Sequence, residues 1–196
     1  MAMCDNLGRS LSKPIWSIIN RGLISVFALA HQLGVQMPIQ PSDLLAHAEW
    51  ANAVFFNAWG KSPARDHEEM RRRVGHVVGV QEGFLKVFRG EPVGMPPDGP
   101  PPSFDELKSW AERNHRELCT FAETLDSAAL ARTVRIPWFP DPPCVISVAD
   151  ALTQVVMHTQ HHRGQLMTRL KDFGGEPKNV DWIIWLWKGH PAARWS

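Results

Sequence analysis

Between residues 42 and 173, four long segments carry apolar residues at every third or fourth position, and none sustains the strict alternation of a half-buried strand. Segments of that kind each bury one stripe, and they do so most simply by packing helix on helix. The helix boundaries are marked by their own signals. Ser42 is the expected cap of a first helix running to about Trp59, with Leu44, Ala48, Ala51, Phe55 and Trp59 as its stripe. Ser62-Pro63, a capping residue followed by proline, predicts the start of a second helix that runs to about Phe88 and ends before Gly90. Ser103-Phe-Asp-Glu106 has the spacing of a capping box and predicts a third helix to about Leu125. Ser147-Val-Ala-Asp150 starts a fourth, which stops near Phe173 ahead of Gly174-Gly175. A short last helix over Val180 to Lys188 carries Trp182, Trp185 and Trp187, expected to seal one end.

The connections complete the expected fold class. Residues 90–102, GEPVGMPPDGPPP, suit neither helix nor strand and form an irregular loop. Residues 131–148 hold short β-type pieces, Thr133–Ile136 and Val145-Ile146, around a proline-rich turn. The expectation is an all-α protein: an antiparallel four-helix bundle with a long crossover between helices three and four that carries these pieces.

Residues 1–36 read as an N-terminal extension, leaving 37–196 as the working domain. The run Leu23 to Ala30 is too short to span a bilayer, which needs about 20 apolar residues. Arg21, that run and Ala28-Leu29-Ala30 resemble a secretory signal, and export is the alternative to a cytoplasmic location. A net charge of +1 excludes a broad basic face for nucleic acid. The three cysteines, Cys4, Cys119 and Cys144, form no CxxC pair and suit a reducing compartment.

Chemistry concentrates on the fourth helix. His158 and His162 are four residues apart, so their rings lie one above the other on one face. The stripe continues through Ala151, Val155 and Leu166, which predicts that the pair points into the bundle. Two inward neutral imidazoles need partners, and a divalent cation satisfies both. A hydrogen-bonded core pair is the competing reading of the two residues alone. His76 on the second helix, in a stripe with Val80, Gly83 and Val87, is a candidate third ligand because neighbouring helices can bring facing residues to one level.

His158-x-x-x-His162-Arg-Gly-Gln165-Leu, the single inward His76 and the tail Gly174-Gly-x-Pro177-x-x-Val-Asp181-Trp-Ile together resemble the DinB/YfiT-like superfamily. The resemblance covers about Pro41 to Lys188. It implies a four-helix bundle whose divalent metal, Zn, Ni, Fe or Mn, is held by His76, His158 and His162. It further implies a metal-dependent enzyme that activates a thiol or water nucleophile. Thiol-dependent transfer with a low-molecular-weight thiol as cosubstrate is its leading form. Metal-dependent hydrolysis and a non-catalytic metal-binding stress-response role are the alternatives. A small-molecule substrate and a homodimer are the expected partners, with no nucleic acid and no membrane.

Other residues carry weaker expectations. Gln165 lies on the ligand side and is a candidate to orient a ligand, and Glu82 is a candidate proton shuttle. His47, His67 and His115 lie on charged or mixed stretches and are expected to be exposed. His161 should face solvent or a neighbour; His31 and His190 fall outside the bundle. Gly75, Gly79 and Gly83 recur every four residues, a stripe that permits close helix approach within the bundle or across a dimer.

Overall fold

A computed structural model describes residues 39–94 and 99–196. The extension at residues 1–36, with its signal-like features and His31, lies outside the described residues. Four long helices form where the periodicity places them: α1 (Pro41–Gly60), α2 (Glu68–Arg89), α3 (Phe104–Glu123) and α5 (Val148–Asp172). A single turn, α4 (Ser127–Ala131), and two strands, β1 (Thr133–Ile136) and β2 (Cys144–Ser147), separate α3 from α5, and α6 (Trp182–Trp187) follows.

Two of the expected caps are present. Ser103 Oγ accepts from the Glu106 backbone N–H while Glu106 accepts from the Ser103 backbone N–H at 2.8 Å. Ser147 Oγ accepts from the Asp150 backbone N–H at 3.0 Å. Two boundaries differ from expectation. Helix α1 begins one residue before Ser42, with Pro41 at its first position and the Gln40 N–H donating to Asp43 Oδ2 at 3.0 Å. Helix α2 begins at Glu68 rather than after Ser62-Pro63. Ser62 Oγ is drawn instead to the carbonyl of Trp59 at 2.8 Å, and the Trp59 indole N–H donates to the Ala64 carbonyl at 2.8 Å. Ser62 therefore closes the preceding helix, and the turn it makes buries Ala64.

The order around the bundle is set by pairwise packing. Helices α1 and α2 each pack against both α3 and α5. Helices α1 and α2 therefore sit on one diagonal of the bundle and α3 and α5 on the other. Gly75 faces Leu107, Gly79 faces Trp110 and Phe88 stacks on Phe121, so α2 and α3 run parallel. Parallel neighbours have their joined ends at opposite ends of the bundle, and residues 90–103 connect them. The Arg71 guanidinium donates to the Pro101 carbonyl at 3.1 Å, which fixes the far end of that connection beside the start of α2. Helix α5 runs antiparallel to α2, as shown by the pairs Glu69–Arg169 and Gln81–Thr159. The excursion from α3 to α5 carries the expected β pieces as an antiparallel ribbon in which Val134 faces Ile146 and Ile136 faces Cys144.

The apolar core consists of a small cluster of Trp50, Ala51, Val180 and Trp185 and two large ones. One gathers Phe55, Trp59, Met70, Val74, Leu107 and Leu170; the other gathers Leu45, Leu85, Leu118, Ile136, Leu152 and Val155. A buried polar layer of Asn52, Gln81, His115, Thr159 and Arg163, drawn from all four helices, lies at the level between them. The expected tryptophan seal is only partly formed. Trp182 and Trp185 pack around His47 of α1, whereas Trp187 is 80% exposed. Among the described residues no helix is long and apolar enough to cross a membrane.

Candidate metal centre

Helices α2 and α5 bring three histidines together. One ring nitrogen from each of His76, His158 and His162 lies within 4.8 Å of the other two. The edge of a tetrahedral site with bonds near 2.1 Å is about 3.4 Å, so small side-chain rotations close the remaining gap. Ring centroids are 5.3 Å apart for His76–His158, 5.0 Å for His76–His162 and 4.3 Å for His158–His162. The short last distance is that of residues one turn apart on one helix.

The trio sits on the flank of the bundle and not in its centre, which corrects the inward direction expected from the stripe. The buried line of α5 runs through Leu152, Val155, Thr159, Arg163 and Leu166, one position round from the ligand pair. One residue is 100° of helix rotation, so His158 and His162 are half-buried on the edge facing α2. His76 is exposed for the same reason: the buried line of α2 runs through Val74, Val77, Val78, Gln81 and Phe84.

Burial lowers the pKa of His158 to about 4, helped by the nearness of His162 and then of His76. The same two causes, burial first and then His162, lower that of His76. Imidazoles that repel one another's protons keep lone pairs available to a cation. The Nδ1 of His158 is buried with no hydrogen-bond partner. The Nδ1 of His162 lies 3.0 Å from Gln165 Oε1 and can donate to it; the Gln165 amide nitrogen lies 2.9 Å from His161 Nε2. That arrangement leaves His162 Nε2 as the nitrogen that would face a cation, with Gln165 placed to orient the ring. A donor set of three imidazoles, one with an orphaned nitrogen, fits a divalent cation.

A cavity of about 210 Å³ adjoins the trio, lined by Arg72, Arg73, His76, His162, Gln165 and Leu166. Glu82 is not part of it. Its carboxylate pairs with Lys86 at 2.9 Å and is influenced by Trp110 and Arg113 of α3, on the other side of α2. Two further expectations fail. His47 and His115 are buried, at 5% and 1% exposure. His47 Nε2 lies 2.9 Å from the Val180 carbonyl, and His115 Nε2 lies 2.7 Å from the Asn52 side-chain nitrogen. No local pattern marks them, because their partners come from distant segments. His67 is exposed as expected, stacked on Phe173. Cys119 is held as a thiol, its pKa pushed up to about 12 by burial and by Glu49, and is a poor nucleophile.

A four-helix bundle with three imidazoles converging from two antiparallel helices defines a class of protein that could hold a metal ion at the bundle's edge. The family model of the DinB superfamily matches residues 42–166, and the chain belongs to that superfamily. No curated protein and no solved structure matches it.

Proposed function

We propose that this chain is a metal-dependent enzyme in which His76, His158 and His162 hold a divalent cation beside the 210 Å³ cavity and a small thiol serves as nucleophile. The observation that carries this reading is the makeup of the cluster: three imidazoles with no fourth histidine, cysteine or carboxylate among the described residues. Catalytic sites of this kind keep a coordination position for substrate, whereas structural zinc sites close with four protein ligands. A divalent cation held there supplies Lewis acidity, enough to bring a water to a pKa of about 7 or to deprotonate a thiol.

The chain's own residues do the rest. Gln165 orients His162 through Nδ1. Leu166 supplies an apolar wall, and Arg72 and Arg73 supply a cationic rim. The cavity wall contains no carboxylate. Metal-assisted hydrolysis by helical histidine sites commonly adds a glutamate to take the proton from water, and its absence from this wall favours a thiol over water.

Metal analysis of the purified protein is the first test. One equivalent of divalent metal, lost in His158→Ala, is expected. Turnover of an electrophilic substrate by the loaded protein should then require an added low-molecular-weight thiol. Thiol-independent hydrolysis would replace this reading by a hydrolase, and full metal occupancy with no turnover on a thiol or ester panel would replace it by a binding protein.

A further inference from the structure

The wall of the cavity beside the three histidines carries two arginines, each ion-paired to a glutamate of the preceding turn. Arg72 and Arg73 line it and no acidic residue does. Arg72 and Arg73 stand four and three residues before His76, so they lie one turn along α2, with Cβ atoms about 5–6 Å from that of His76. On the antiparallel α5, Gln165 and Leu166 stand three and four residues after His162, which extends the wall in the same direction. The cavity is therefore a short slot with imidazoles at one end and guanidiniums at the other.

Both arginines have donors left over. Arg72 commits Nη2 to Glu68 at 2.7 Å, and Arg73 commits Nε to Glu69 at 2.8 Å. Glu69 is also shared with Arg169 at 3.5 Å, so its charge is divided between two guanidiniums. A guanidinium has five N–H donors and matches a carboxylate in two-point geometry. The existing ion pairs neutralise part of the positive charge, which suits a monoanion better than a doubly charged phosphate.

We propose that the small molecule handled here carries a carboxylate, held by Arg72 and Arg73 one helical turn from the imidazoles that meet its reacting atom. On the thiol reading above, on which this inference rests, the cosubstrate is a thiol with a carboxylate a few bonds from sulfur. The arginines are specificity-determining residues, not ligands to the cation.

The test uses direct binding to the full chain. Zinc content is measured first, and zinc-loaded protein is titrated calorimetrically with 3-mercaptopropionate, 3-mercaptopropanol and propionate. We expect 3-mercaptopropionate to bind at least about tenfold tighter than its neutral analogue. In Arg72→Gln/Arg73→Gln, with zinc content unchanged, that ratio should fall to within about twofold. Both side chains are substantially exposed, at 61% and 45%, so the variant should fold. Equal binding of the two thiols to the unaltered protein overturns the inference, as does a preference that survives in the variant, since the cation alone would then attract the acid. Propionate binding as tightly as 3-mercaptopropionate keeps the acid subsite and removes the thiol. A protein that takes up no zinc or other divalent metal instead overturns the metal reading itself, and this inference with it.

Discussion

Arg163 of α5 donates through Nη1 to Asn52 Oδ1 of α1 at 2.9 Å, across a separation of 111 residues and at full burial. A second guanidinium nitrogen donates to Gln160, and no carboxylate pairs with this charge among the described residues. Burial lowers the Arg163 pKa to about 10, so the side chain remains cationic at neutral pH. Asn52 also presents its amide nitrogen to His115 Nε2 at 2.7 Å. One amide thus links two other buried polar groups, Arg163 and His115, and holds α5 against α1 at the residue that follows His162.

Asn52→Leu removes that amide while keeping the branching and number of heavy atoms. It takes one acceptor from a buried guanidinium and the nearer partner from a buried imidazole, leaving them Gln160 and Gln81, and should destabilise the fold by about 3 kcal/mol. Urea denaturation followed by far-ultraviolet circular dichroism measures it. A loss under about 1 kcal/mol would show that the polar layer is not held through this residue.

On the proposed reading, Gln165 acts through His162. Gln165→Leu should weaken zinc binding about 10-fold or more, while the melting temperature of the metal-free protein stays nearly unchanged because residue 165 is exposed. Gln165→Glu keeps an acceptor for Nδ1 and should retain most of the affinity. A chelator competition titration separates the three proteins; equal affinities would remove Gln165 from the site.

Acid should destabilise the fold through its buried histidines. His115 has its pKa lowered to about 3, by burial and then by Arg163. His47 is lowered mainly by burial, against the opposing Val180 carbonyl; Arg163 lowers it further and Asp181 raises it. Both are neutral in the folded chain, while the unfolded chain takes up a proton at each near pH 6.5. The stability they supply is complete above about pH 6.5 and is lost as pH falls below it, for His115 down to about 3, at up to about 1.4 kcal/mol per pH unit for each group. Urea midpoints between pH 7 and 5 should fall accordingly, and His115→Gln should flatten the slope by up to one proton.

The glycine stripe faces side chains of this same chain, Leu107 and Trp110 of α3 and, at Gly83, Trp138. A Cβ at Gly75 would lie 3.7 Å from Leu107 Cδ2, and one at Gly79 would lie 3.8 Å from Trp110 Cη2. These are ordinary contacts, so a methyl group fits at both. Gly79→Ala should stabilise the protein by up to about 1 kcal/mol through the helix propensity gained. Gly175→Ala should do the opposite, since its Cβ would come within 2.4 Å of Leu170 Cδ1 and 3.0 Å of the Leu170 carbonyl oxygen. Thermal melts of the two variants should move in opposite directions.

Local chemistry made the helices legible. Ser103 and Ser147 cap where their spacing to Glu106 and Asp150 requires, because those bonds lie within one turn. The i, i+4 spacing of His158 and His162 and the phrase that follows them pointed to the two positions on α5 that join the three-histidine cluster, since residues four apart on a helix are neighbours in any fold. Which way those positions faced was not local information. A shift of one residue turns a helix face by 100°, and the packing of α5 against both α1 and α2 chose Thr159 and Arg163 for the interior, leaving the histidines on the edge. The burial of His47 and His115 was hidden for a related reason. A polar side chain goes inside only when another segment brings its hydrogen-bond partner, and Val180 and Asn52 lie 133 and 63 residues away from them. Sequence determined that four long helices form, where α3 and α5 are capped and which residues can bind a cation; the side-by-side antiparallel packing of α2 and α5, set by contacts between distant segments, decided which of those residues meet.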